Sequence, residues 1–205
     1  MSRTKGGTFV AIEGIDAVGK STQSSTLNAW LTSKKLSSQT LSFPDYSTVI
    51  GREIKKFLVG EKDYPQEVRA MLYAANRWEN KPRLEQVIFE HDVTIVNRYT
   101  GSNLAYGLSN GLSLEWLLSL ELGLPQPDLV IVLDASPQLL MPRRGVNKDT
   151  YERNLGLQTR ARDSYLELSR RFGWKVLDAS AGIEETGRLV TGAVAEVLAA
   201  RGRTV

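Results

Sequence analysis

Residues Thr8 to Thr22 read TFVAIEGIDAVGKST, a run of β-forming residues that breaks into a glycine-bounded loop and then a Lys-Ser-Thr step. Gly14 to Thr22 matches G-x-x-x-x-G-K-[ST] in full, after a predicted strand and before a predicted helix, the context that the pattern requires. Gly14 and Gly19 let the backbone curl so that its amide hydrogens converge on phosphate oxygens at the positive end of the following helix. Lys20 then supplies a mobile point charge for the β- and γ-phosphates, and the Ser21 hydroxyl is placed to ligate Mg²⁺. The stretch Gly14, Ile15, Asp16, Ala17, Val18, Gly19, Lys20, Ser21 and Thr22 is therefore expected to hold a nucleoside triphosphate.

Four more β-rich runs follow: QTLSF (Gln39–Phe43), VTIVN (Val93–Asn97), LVIVLD (Leu129–Asp134) and WKVLD (Trp174–Asp178). Helical patterns fill the gaps, at about Lys20–Lys34, Gly51–Leu58, Pro65–Phe89, Ser113–Leu122, Pro137–Arg144, Thr150–Phe172 and Ile183–Arg201. Strands alternating with helices predict an α/β fold of P-loop NTPase type, a five-stranded parallel sheet sandwiched by helices, with residues 1–205 forming one domain. Val, Ile and Leu run almost without interruption through the first, third and fourth strands, which suits strands covered on both faces. Pro82 should kink or split its helix, because it lacks the amide hydrogen and its ring clashes with the preceding turn. Pro125 and Pro127 mark the loop into the fourth strand. The last helical pattern, with Ile183, Val190, Val194, Val197 and Leu198, reads as packing with no chemistry.

Composition narrows the function classes. The chain has 205 residues, 26 basic against 23 acidic, and a formal charge of +3 without any Lys/Arg-rich block. That scattered excess, with no aromatic and basic stripe, argues against nucleic acid as a partner. There is no cysteine, so disulfides, thiolate nucleophiles and thiolate zinc sites are excluded, and His91, the one histidine, reads as a surface loop residue. The apolar run from Phe9 to Ile12 is too short for a signal-peptide core or a membrane span, and a cytoplasmic location is expected. A guanine-reading N-K-x-D signature is missing: VNKD at Val146 to Asp149 has its Asp one position early and follows no strand.

Other stretches bear on the acceptor. IEGIDAVGKSTQ (Ile12–Gln23), FPDYST (Phe43–Thr48), AANRWE (Ala74–Glu79), NRY and SNLAY (within Asn97–Tyr106), GLPQPDLVIVLD (Gly123–Asp134) and YERN (Tyr151–Asn154) together make the chain resemble the thymidylate kinases, from the first strand to the last helix. The resemblance implies transfer of the γ-phosphoryl of ATP to dTMP, with Mg²⁺, in a homodimer. Tyr73 and Arg77, four apart on a predicted helix, present a ring and a guanidinium fork on one face. By resemblance Tyr73 stacks on thymine, Arg77 bonds a thymine carbonyl and Asn103 reaches N3. Arg98, at the carboxyl end of a buried strand, would grip the acceptor phosphate, with Tyr46 reaching the same group and Phe43 and Pro44 shaping the wall. Asp16 is assigned to the sugar or the metal, Tyr106 lies near the sugar's 2′ carbon, and Ser102 and Tyr151 complete the implied dTMP site.

Two positions depart from the family pattern. Some members carry a catalytic Arg in the loop where this chain has Ala17; others take it from a lid. PRRGVNK at Pro142 to Lys148 suits a basic lid, spanning about 142–150, so Arg143 and Arg144 join Lys20 and Arg98 as catalytic candidates, with Arg153 as a further possibility. Where the family has D-R-[YH], with the Asp near Mg²⁺, this chain reads Asn97-Arg98-Tyr99. Asn keeps the shape but loses the charge that a metal favours. Either Glu13, Asp16 or Asp134 compensates, or the residue is a substitution that slows turnover. A kinase for another nucleoside monophosphate, and a weakly active nucleotide-binding regulator, remain the alternatives.

Overall fold

The structure is a computed structural model that describes residues 6–141 and 154–203. Five strands, β1 (Thr8–Glu13), β2 (Ser38–Ser42), β3 (Val93–Asn97), β4 (Leu129–Asp134) and β5 (Lys175–Asp178), form one sheet in the order β2-β3-β1-β4-β5, every pair parallel. The expected five-stranded parallel sheet is thus present. From β1 the chain passes out to β2, returns to β3, and crosses to β4 and β5 on the other side. Such a reversal leaves a crevice at the carboxyl ends of the strands, where open α/β sheets take their ligands.

Alternation explains the apolar runs. Successive side chains of a strand point to opposite faces, so Val10 and Ile12 of β1 enter one core cluster with Ile95 and Ile131, while Phe9 and Ala11 enter a second with Leu41 and Val96. Both faces of β1 and β3 are buried, and all eleven of their residues lie out of solvent. The larger cluster is covered by α1 (Lys20–Ser33), α8 (Leu155–Phe172) and α9 (Ile183–Ala200), through Leu27, Leu31, Tyr165, Val190, Val194 and Leu198.

Several elements differ from the expected boundaries. The helix expected over Pro65–Phe89 is two, α3 (Gln66–Glu79) and α4 (Lys81–Glu90), broken at Asn80 with Pro82 in the first turn of the second, where a missing amide hydrogen costs nothing. The expected Gly51–Leu58 helix, α2, begins earlier, at Val49, capped by Thr48 Oγ1 accepting from Gly51 N at 3.0 Å. β2 is shifted by one residue. Helix α5 (Thr100–Ser109) is absent from the sequence expectation, because Gly101 and Gly107 disfavour a helix locally. Both are required by packing: a Cβ on Gly101 would lie 2.8 Å from Glu13 Oε1, and one on Gly107 would lie 2.6 Å from Leu117 of α6 (Leu114–Glu121). The expected Pro137–Arg144 helix is described as α7 (Pro137–Leu140). Ile183 is not core; it is 63% exposed, at the start of α9. His91 ends α4, half-buried, its Nδ1 3.1 Å from the carbonyl of Val87. Among the described residues no helix is long and apolar enough to cross a membrane.

Candidate active site

The loop after β1 adopts the backbone that its glycines permit. Gly14 has φ 131° and Gly19 φ 104°, and a Cβ on Gly14 would come within 2.5 Å of the carbonyl of Leu133. Ala17 also lies in the left-handed region, at φ 63°, which costs an ordinary residue about 1 kcal/mol. Ile15 and Val18 are buried and anchor the loop, whereas Ser21 and Thr22 are exposed in the first turn of α1. The ammonium of Lys20 is folded inside the loop, donating to the carbonyls of Gly14 at 3.0 Å and Ile15 at 2.7 Å.

Arg98, immediately after β3, has φ 57°, so the chain turns sharply and sends the guanidinium back over the loop. It pairs with Asp16, and its Nη1 lies 3.4 Å from the Gly14 carbonyl and 3.3 Å from Ser102 Oγ. Asp16 also accepts from Tyr106 Oη at 2.8 Å and from Gln158 Nε2 at 2.7 Å. Burial would raise the Asp16 carboxyl; the charges of Arg98 and Lys20, then the Tyr106 and Gln158 hydrogen bonds, overcome that and hold it at about 2. Burial, reinforced by the Asp16 charge, pushes the Tyr106 phenol well above its ordinary value.

Two cavities open on this centre. One, of about 310 Å³, is walled by Phe43, Tyr46, Tyr73, Arg77, Asn103 and Tyr106. The other, of about 600 Å³, lies over the loop and is closed by Ala179, Gly182, Ile183 and Thr186. Both are lined by Asp16, Lys20, Ser21 and Arg98, so these four stand at the junction. Phe43 is buried against Tyr99 at 5.9 Å between ring centroids; Tyr46 is exposed on the rim. Arg77 and Asn103 both bond Glu121.

The position where a carboxylate was expected is occupied differently. Asn97 Oδ1 accepts from Ser24 Oγ, and its Nδ2 lies 3.4 Å from Ser42 Oγ. Glu13 is fully engaged: its Oε1 caps α5, accepting from the amides of Tyr99 at 2.8 Å and Ser102 at 3.1 Å, and its Oε2 accepts from Ser102 Oγ at 2.6 Å and Tyr165 Oη at 3.1 Å. Asp134 is likewise engaged, by the Nε and Nη2 of Arg162 at 2.7 and 2.8 Å. Among the described residues no group of three or more His, Cys, Asp or Glu could hold a metal. Ser21 and Asn97 line the crevice together and bring hard oxygen donors, a hydroxyl and an amide oxygen that here accepts from Ser24. That set fits a cation carried mainly by phosphates and water, as Mg²⁺ usually is. Arg143, Arg144, Tyr151 and Arg153, with the expected lid, lie outside the described residues.

Sequence reasoning missed Glu121, Gln158 and the β5–α9 wall. Glu121 had one visible signal, a lone charge in the leucine-rich LLSLEL. Gln158 and the glycine-containing wall had none, since their role depends on how α8 and α9 pack.

A phosphate-binding loop at the centre of a parallel sheet, opening on two adjoining cavities, defines a P-loop nucleotide-binding protein. The family model described as thymidylate kinase matches residues 12–190. The thymidylate kinase of Schizosaccharomyces pombe is 32% identical over 202 residues, 96% of each chain, and that of Homo sapiens 33% over 181 residues, 87% of this chain and 85% of its own. A solved structure of thymidylate kinase from Candida albicans superposes with a TM-score of 0.80 at 28% identity, covering 97% of this chain and 94% of its own. The chain belongs to the thymidylate kinase family, enzymes of the nucleoside monophosphate kinase type.

Proposed function

We propose that this chain transfers the γ-phosphoryl group of ATP to dTMP, giving ADP and dTDP. One observation carries the reading: two cavities meet at Asp16, Lys20, Ser21 and Arg98, so a group in one can face a group in the other across two cations. The larger cavity takes the donor, its phosphates on the amides of the loop and its base toward Gly182 and Ile183. The smaller takes the acceptor.

Phosphoryl transfer needs little covalent help; positioning and neutralisation of developing charge supply most of the acceleration. Lys20 leaves the carbonyls of Gly14 and Ile15 for the β- and γ-phosphates. Arg98, already aimed by its strained backbone and by Asp16, grips the acceptor phosphate and orients its attacking oxygen. Tyr73 stacks on thymine, Phe43 and Tyr46 close the wall, and Ser102 and Tyr106 border the sugar and phosphate. Ser21 and Asn97 would hold Mg²⁺, which when bound neutralises phosphate oxygens. Ala17 brings no cation, so further positive charge is assigned to Arg143 and Arg144 of the proposed lid, with Tyr151 beside the acceptor. Homodimerisation is inferred from the family and is checked by sedimentation.

A coupled ADP-release assay with dTMP, dUMP, dCMP and dGMP tests the reading. The highest kcat/KM is expected with dTMP. Tight binding of ATP and dTMP with no ADP formed from any acceptor would favour a regulator instead.

A further inference from the structure

We propose that Glu121 is the positioning residue that sets which pyrimidine the acceptor cavity takes, by fixing the donor and the acceptor that Arg77 and Asn103 turn toward the base. This rests on the reading above, in which the acceptor base meets those two side chains.

Glu121, the last residue of α6, is 4% exposed, and both of its oxygens are used by the cavity wall. Oε2 accepts from Arg77 Nε at 2.9 Å; Oε1 accepts from Arg77 Nη2 and from Asn103 Nδ2, the latter at 2.7 Å. Asn103 Nδ2 also donates to the carbonyl of Ala70 at 3.2 Å. The orientation of the amide is therefore decided by chemistry. Turned over, Asn103 would set its oxygen against a carboxylate and a carbonyl, acceptor facing acceptor at both contacts. Its Oδ1 is the one polar side-chain atom left for the cavity that Asn103 lines, and Nη1 is the guanidinium nitrogen that Arg77 has left for the same cavity.

The wall thus shows a base one acceptor beside one donor. Thymine and uracil carry the complement, N3–H beside the C4 carbonyl. Cytosine carries the reverse, an unprotonated N3 beside a 4-amino group, so it would set like against like at both contacts. A site built on fixed hydrogen bonds rejects such an analogue strongly, because its own polar groups are left unpaired. The polarity is fixed by a residue that need not touch the base. An uncharged amide at 121 cannot accept from all three donors at once: with its oxygen on Arg77, its NH₂ faces the NH₂ of Asn103, donor against donor, and only the Ala70 carbonyl still opposes the overturned amide, which would show a donor to N3.

The experiment is the ratio of kcat/KM for dTMP over dCMP in the full-length protein, with thermal midpoints measured alongside. Glu121→Gln is expected to lower the ratio by about tenfold or more, mainly through KM for dTMP and increased use of dCMP. Glu121→Asp keeps the charge but withdraws it by one methylene, and an intermediate ratio, lowered by about threefold, is expected. Should Glu121→Gln fail to fold, Glu121→Asp is read alone. A ratio unchanged in the folded variant, even with a lower melting temperature or equal losses on both nucleotides, assigns Glu121 to packing and overturns the proposal. Asn103→Ala separates the two readings: it is expected to raise KM for dTMP by about tenfold. A KM unmoved by Asn103→Ala removes the base from this wall, whereas a raised KM with an unmoved Glu121→Gln ratio removes Glu121 alone.

Discussion

The donor and acceptor sides of the crevice are built from different material. On the proposed donor side are the backbone amides of one contiguous loop, Gly14 to Thr22, shaped by two glycines. On the proposed acceptor side are side chains from the ends of β2 and β3 and the flanks of α3 and α5, and four of them are held by another polar group: Arg98 by Asp16, Arg77 and Asn103 by Glu121, Asn97 by Ser24. A loop of amides needs only the right local backbone. A wall of charged side chains needs every partner in place, since an unpaired buried charge costs more than a missing one.

If that contrast holds, a cation of the donor side can be removed cheaply in stability and expensively in rate. Lys20→Ala is expected to reduce kcat by about a hundredfold to a thousandfold. Its thermal midpoint should fall less than that of a variant lacking Arg98, because Asp16 keeps Arg98, Tyr106 and Gln158, and the two carbonyls that Lys20 leaves adjoin the cavities that it lines. A large drop in melting temperature would show that the loop depends on its lysine as the acceptor wall depends on its ion pairs.

Arg98 should behave in the opposite way. Arg98→Met leaves the Asp16 carboxylate in a largely buried site, with an expected cost of about 2 kcal/mol in stability besides an activity loss of about a hundredfold. Adding Asp16→Asn should restore most of the stability and none of the activity. Stability restored together with activity would mean that Arg98 serves the fold and not the phosphate.

The same pair gives a pH signature. The carboxyl of Asp16, normally near 3.8, stands at about 2 in the folded chain, so the folded state binds its proton later than the unfolded state does. The stabilisation is complete above the unfolded value and disappears as pH falls from about 4 toward 2, to an extent of at most about 2 kcal/mol. Denaturant unfolding of the parent and of Asp16→Asn across that interval measures it. Parallel curves for the two would show that Asp16 carries no depressed carboxyl.

The contrast also explains what could be read from sequence. The loop, the five strands and their parallel sense are written in local pattern, since GIDAVGKST and the Val/Ile/Leu runs need no distant partner. Arg77 and Asn103 were legible as lining but not as a mutually oriented pair, because Glu121 lies far along the chain in a different helix. Helix α5 was invisible for a related reason. Gly101 and Gly107 weaken a helix in isolation and are demanded by Glu13 and Leu117, contacts that exist only in the fold. Glu13 itself, one of the three carboxylates that the sequence offered in place of the missing one at 97, accepts from the amides at the start of that helix.

Asn97 tests whether the acceptor wall tolerates added charge. Asp at 97 keeps the acceptor for Ser24, and the Ser42 hydroxyl, which accepts from Asn97 Nδ2, can turn to donate to the carboxylate. Asn97→Asp should therefore fold normally and increase kcat by about tenfold, with a lower Mg²⁺ requirement. Unchanged Mg²⁺ dependence would show that the phosphates and Ser21 suffice.

The smallest effect separates bulk from hydrogen bonding at Tyr106, whose ring lines the acceptor cavity while its hydroxyl donates to Asp16. Tyr106→Phe removes one of the hydrogen bonds that hold Asp16, leaving Gln158 and Arg98, so stability should fall by about 1 kcal/mol. The ring remains, and the preference for dTMP over its ribose counterpart should not change. Tyr106→Ala removes the ring as well, and that preference should narrow by severalfold, on the order of one unfavourable contact with a hydroxyl. If Phe and Ala shift the preference equally, discrimination runs through the position of Asp16 and not through the space at the 2′ carbon.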